Sequence, residues 1–79
     1  MALSPNPTTE MISADYRFLD HQERSWELFD ATGKQIFNFV TNDKQGFLSI
    51  SLSTVSDGLY FLIIRENGMI IETEKIIKQ

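Results

Sequence analysis

Leu59-Tyr60-Phe61-Leu62-Ile63-Ile64, then Arg65-Glu66-Asn67-Gly68, then Met69-Ile70-Ile71-Glu72-Thr73-Glu74-Lys75-Ile76-Ile77-Lys78-Gln79, is the stretch that decides the architecture of this chain. The first six residues are too short a run for a helix and are rich in β-branched and aromatic side chains, so they read as a strand. Being apolar on both faces, that strand reads as central and covered on two sides. Asn67-Gly68 is the strongest short hairpin signal in the chain, since both residues accept the positive φ that a type I′ turn demands. Ser56-Asp57-Gly58 turns the chain into this hairpin, with Gly58 at a position expected to need positive φ. The last strand runs to Gln79, where a domain more often ends in a fraying polar tail.

Working outward, the same pattern repeats. Glu10 to Phe18 alternates, with Ile12, Ala14, Tyr16 and Phe18 on one face and Met11, Ser13, Asp15 and Arg17 on the other. Polar Asp20 to Arg24 interrupts it. Ser25 to Phe29 resumes with Trp26 and Leu28 inward, and Asp30-Ala31-Thr32-Gly33-Lys34 forms a hairpin connection with Gly33 in the left-handed position. Gln35 to Val40 is the returning strand, apolar except for Asn38, and Thr41 to Gln45 is a polar loop. Gly46 to Leu52 alternates again, and Ser53 to Gly58 makes a corner. Short strands spaced roughly 8–12 residues apart, with no helical period, predict an all-β antiparallel sandwich of about six or seven strands. Residues 1–9 read as the end of a linker, because Pro5 and Pro7 force extended geometry on Ser4 and Asn6, and residues 10–79 as one sandwich domain. Met1-Ala2 reads as an initiator joined to an excised terminal domain.

Composition removes several classes of function. The 79 residues carry a net charge of −4, with seven Lys and Arg spread along the chain, which gives no footprint for a phosphate backbone, so nucleic acid is not an expected partner. The longest apolar run, Leu59 to Ile64, is far short of the roughly 20 residues a membrane-spanning helix needs, so no membrane insertion is expected. Nothing before Ser4-Pro5-Asn6-Pro7 reads as a signal peptide, since no basic region or apolar run stands there, and for an exported protein that peptide is expected on sequence upstream of these residues. Cysteine is absent, which excludes disulfides and thiolate zinc sites and suits either a cytosolic protein or an exported one that crosses a membrane without oxidative folding.

The ordered motifs carry a resemblance. Leu3-Ser4-Pro5-Asn6-Pro7, then Leu28-Phe29-Asp30-Ala31-Thr32-Gly33-Lys34, then Leu52 to Val55 with Ser56-Asp57-Gly58-Leu59-Tyr60, then the closing Lys75-Ile76-Ile77-Lys78-Gln79 follow one another across nearly the whole chain. This set resembles the C-terminal sorting domain of the type IX secretion system of Bacteroidetes. Ser4 stands where that family often has an aromatic residue, Phe29 where it often has tyrosine, and Val55 where it often has leucine. The resemblance implies an immunoglobulin-like antiparallel β-sandwich of about seven strands that serves as a non-catalytic export signal without a cofactor. It implies an N-terminally fused cargo, partners in the outer-membrane translocon, and a surface sortase that removes the domain by a cut at or upstream of Leu3. Localisation would then run from the periplasm to the outer-membrane surface or the extracellular space. Pro5, Asn6, Pro7, Asp30, Gly33, Lys34, Gly58 and Tyr60 are the implied structural motif, and Lys75, Ile76, Ile77, Lys78 and Gln79 the implied recognition tip.

A physical reading runs alongside. A closing strand with an open edge can add to a receptor by β-augmentation, with Lys75 and Lys78 supplying charge and Ile76 and Ile77 alternating between core and contact faces. Lys78 has two readings, as a receptor contact or as a gatekeeper against edge aggregation. Weak edge-strand dimerisation is also open to isolated domains. Tyr60 reads as a tyrosine corner, with Leu62 where an antibody domain places its second cysteine.

Candidate chemistry is thin. His21, the single histidine, sits between Asp20 and Glu23 in a polar loop and lacks an evident nucleophile or enough further ligands for a metal. Asn42-Asp43-Lys44 lacks the recurring acidic positions of a calcium loop, and the four glycines are isolated at turns. The competing reading is an immunoglobulin-like adhesion or carbohydrate-binding module, in which Trp26 or exposed phenylalanines among Phe37, Phe39 and Phe47 would stack on sugar.

Overall fold

In the computed structural model, residues 1–4 and 10–79 are described. Seven strands run antiparallel: β1 (Ala2–Ser4), β2 (Met11–Arg17), β3 (Arg24–Asp30), β4 (Gln35–Thr41), β5 (Gln45–Ser51), β6 (Gly58–Glu66) and β7 (Met69–Lys78). One sheet has the order β1-β2-β5 and the other β4-β3-β6-β7. The chain changes sheet at the β2–β3, β4–β5 and β5–β6 connections, which gives the crossed topology of an immunoglobulin-like sandwich. Ala2–Ser4, expected to lie in the linker, is instead a strand paired with Ser13 to Asp15 of β2.

Period two builds the core. Ile12, Ala14 and Tyr16 of β2, together with Ile50 and Leu52, face Trp26, Leu28, Tyr60, Leu62, Ile64 and Ile76 of the larger sheet, and all are buried. Trp26 sits at the centre. Its ring meets Tyr16 edge-on at 5.1 Å and stacks on Phe39 at 5.5 Å, while its indole Nε1 donates to Thr41 Oγ1 at 2.8 Å. The indole thus contributes large apolar burial while its one polar atom stays satisfied. Tyr16 lies over its cross-strand partner Gly46, where a Cβ would come within 2.6 Å of the phenol oxygen, so this strand position has room only for hydrogen. Burial pushes the Tyr16 hydroxyl pKa up, and the charge of Asp43 pushes in the same direction.

Two loops are held by polar side chains. Arg24 is buried, with Nη2 donating to Asp20 Oδ1 at 2.6 Å and Nε to Glu66 Oε1 at 2.9 Å, and its guanidinium lies 4.0 Å from the Phe18 ring centre. It clamps the β2–β3 loop onto the end of β6, in a stretch whose sequence reads only as a polar interruption. At the other end of β3, Asp30 Oδ1 accepts from Thr32 Oγ1 (2.6 Å), Thr32 N (2.9 Å) and Lys34 N (3.0 Å). These donors, the Thr32 hydroxyl foremost, hold the Asp30 carboxyl below its ordinary pKa.

β6 corrects one expectation. It is central within its sheet, flanked by β3 and β7, but only one of its faces is covered. Tyr60, Leu62 and Ile64 are buried, whereas Phe61 and Ile63 are half-buried and Leu59 is 36% exposed. A third layer would be needed to cover that second face, and the described residues form two.

Candidate functional site

The closing strand β7 is positioned by its turn. Asn67 (φ 52°) and Gly68 (φ 79°) both adopt the left-handed region, as a type I′ hairpin requires, and reverse the chain in two residues. From there β7 pairs with β6 from Glu66↔Met69 to Gly58↔Lys78. The register shifts between Ile64 and Arg65, so that Ile64 faces Glu72 and Arg65 faces Ile70 while Ile71 is the extra residue. Such a bulge increases local twist and resets which side chains point inward. Among the described residues β7 has no second strand neighbour and closes its sheet, while Lys75 and Ile77 are engaged in contacts of their own.

The alternation that follows divides the expected tip in two. Ile76 is fully buried opposite Tyr60. Lys78 is only 8% exposed, and its ammonium donates to the Val55 carbonyl at the β5–β6 corner. It ties the end of β7 to the fold, so its side chain is not presented at the surface as a recognition contact requires. Lys75 and Gln79 are exposed and Ile77 is half-buried, with Lys75 opposite Phe61 and Ile77 opposite Leu59.

Those outward positions continue an apolar surface. Phe29 of β3 is paired with Phe61 of β6, and Ile63 with Thr73 of β7, on the uncovered face of the four-stranded sheet. Phe29, Phe61, Ile63 and Thr73 share an open trough that is bounded by Asp30, Ala31, Gly33 and Arg65. Arg65 Nε is held by the Glu27 carboxylate at 3.2 Å, so the rim is charged and fixed while the floor is apolar. The sequence pattern places Phe61 and Ile63 in a strand covered on two sides, whereas the described residues cover only one.

The structural-motif residues are found at the same end of the sandwich. Asp30, Gly33 and Lys34 form one hairpin, closed by Asp30 N to Lys34 O at 2.9 Å and Gly33 N to Asp30 O at 3.0 Å. Gly58 has φ +150°, and buried Tyr60 donates its hydroxyl to the Ser56 carbonyl at 2.5 Å, which is the bond of a tyrosine corner. Pro5, Asn6 and Pro7 lie outside the described residues. The inward face of β7 also carries Glu72 and Glu74, where burial first, and then the neighbouring Glu72 charge, raises the pKa of Glu74.

The other candidates do not converge. His21 is exposed, while the Asp20 carboxylate is engaged by Arg24. No cluster of three potential metal ligands occurs among the described residues. Trp26 is wholly buried and offers no face to a sugar, and Phe37 and Phe39 are half-buried against the core. Phe47, at 67% exposure, is the aromatic left in solvent. No helix of the described residues is long and apolar enough to cross a membrane.

Comparison with curated proteins gives no match. Against known families, residues 2–79 match the secretion system C-terminal sorting domain. The match covers essentially the whole chain, and the all-β sandwich agrees with it, so this chain belongs to the family of type IX secretion C-terminal sorting domains.

Proposed function

We propose that the domain acts as a folded, non-catalytic address read at the outward face of β7 and the apolar sheet surface beside it. Membership in the sorting-domain family implies export toward the cell surface or beyond, with a cargo fused on the N-terminal side. The observation that carries the reading is the closing strand β7 lying beside an uncovered apolar sheet face. A translocon component docks on that face, where Lys75, Ile77 and the Phe61 floor supply the side-chain contacts. Ile76 and Lys78 serve the same event indirectly by holding β7 in register.

After passage, a surface sortase removes the domain. The cut falls before β1, because pairing with β2 withdraws Ala2–Ser4 from a protease that needs an extended substrate. β1 enters beside Asp15 near the Arg17 end of β2, whereas Lys78 lies beside Gly58 at the opposite end. Receptor and cargo are thereby kept apart.

The test is a reporter joined to the N-terminal side of residues 2–79 in a type IX-competent bacterium. Delivery of the fusion to the cell surface, with the unfused reporter retained, is the expected result. Retention of a fusion whose domain is folded would contradict the reading.

A further inference from the structure

The opposite edge of the same sheet has a different chemistry. β4 pairs only with β3 among the described residues, and it reads Gln35-Ile36-Phe37-Asn38-Phe39-Val40-Thr41. It contains no charged residue and no proline, the usual devices that keep a sheet edge from pairing with another chain. Its pairing with β3 is regular from Phe37 to Thr41, so the central segment is flat enough to serve as a template.

Read in either direction, β4 has the same order: polar, aliphatic, aromatic, polar, aromatic, aliphatic, polar. We infer that β4 pairs with β4 of a second copy, antiparallel and about a two-fold axis through Asn38, which joins two four-stranded sheets into one of eight. In that register Phe37 opposes Phe39 of the partner copy and each Asn38 opposes its equivalent, while Ile36, the extra residue of a bulge against β3, lies outside the regular segment. Aromatic–aromatic cross-strand pairs are favourable units of sheet stabilisation. An isologous contact of this kind demands a self-complementary strand, and β4 meets that demand across Phe37, Asn38 and Phe39.

Burial agrees with the assignment. Phe37 and Phe39 stack at 6.3 Å on the core side of β4 yet remain half-buried, because the sandwich is open along this flank. Val40 on the other face is 53% exposed. A second β4 would cover the flanks of both phenylalanines. The contact is one strand wide, so the dimer forms reversibly and depends on concentration. Because β4 and β7 lie at opposite ends of the strand order, dimerisation through β4 does not cover β7.

Position 38 is the one place where a residue meets itself, and the chain has no cysteine to confuse a reporter thiol. Sedimentation of the full chain across a concentration series is expected to show a monomer–dimer equilibrium. Asn38→Lys places like charges face to face and raises the dimer dissociation constant about fivefold. Mixing Asn38→Lys with Asn38→Glu restores association as a heterodimer, with the fold of each variant checked by circular dichroism. Asn38→Cys is expected to oxidise to a disulfide-linked dimer, whereas Thr73→Cys on β7 is not. A strictly monomeric chain, a dimer indifferent to Asn38→Lys, or equal cross-linking at Thr73 would each overturn the assignment. Export of a reporter by the monomeric Asn38→Lys variant separates this test from that of the sorting reading.

Discussion

The two rims of the four-stranded sheet solve the open-edge problem in opposite ways. β7 carries Glu72, Glu74, Lys75 and Lys78, a bulge that twists it, and a lysine anchored to the β5–β6 corner. β4 has no charge, a near-symmetric sequence, and a bulge confined to Ile36 near its start. A charged, bulged edge discourages indiscriminate pairing and leaves only a partner matched to its twist and charge, whereas an uncharged symmetric edge favours its own copy. The contrast teaches that selectivity at a sheet edge resides in the charge and patterning of its side chains.

This contrast can be broken from the β7 side. The largest effect is expected for Ile76→Ala, which opens a cavity opposite Tyr60 and costs about 2–5 kcal/mol in urea unfolding. Export then fails through loss of the fold. Lys78→Ala leaves the Val55 carbonyl without its donor and costs about 1.5–3 kcal/mol by the same measurement. A wild-type unfolding midpoint for Lys78→Ala would mean that its ammonium lies in solvent, as a direct receptor contact requires.

Smaller effects sharpen the β4 side. Asp30 orders the hairpin that presents β4, and its carboxylate form is favoured in the folded state. Its contribution is therefore present above the ordinary carboxyl pKa and is lost as pH falls below about 4. Asp30→Asn is expected to lower stability at neutral pH and to flatten that acid limb in thermal melts across pH. Glu74 has the opposite sign and the smallest effect. Its raised pKa makes its contribution largest below about 4.3 and lost as pH rises through the raised value. Glu74→Gln should slightly raise the melting temperature at neutral pH and leave it little changed in acid.

Much of this architecture was legible in the residues. The six strands from Met11 to Lys78 follow period-two patterning and turn chemistry, and Asn67-Gly68, Asp30 and Tyr60 form the turn, hairpin and corner that their motifs imply. What escaped reading depends on which neighbour a side chain finds. The inward direction of Lys78 follows from its pairing with Gly58 and from Val55 being within reach, and neither is local in sequence. Arg24 looked like loop polarity because its partner Glu66 is 42 residues away. Ala2–Ser4 is too short to display a period, so only its pairing with β2 identifies it as a strand. The exposed Phe61 and Ile63 face was hidden by a pattern that a doubly covered strand shares.

The decisive measurement is surface delivery of a reporter fused to the double variant Lys75→Glu/Ile77→Ser, compared with wild type. Neither side chain belongs to the buried core, so the melting temperature should stay within about 4 °C of wild type. The account predicts that this folded variant is no longer exported; export at the wild-type level would contradict recognition at the outward positions of β7.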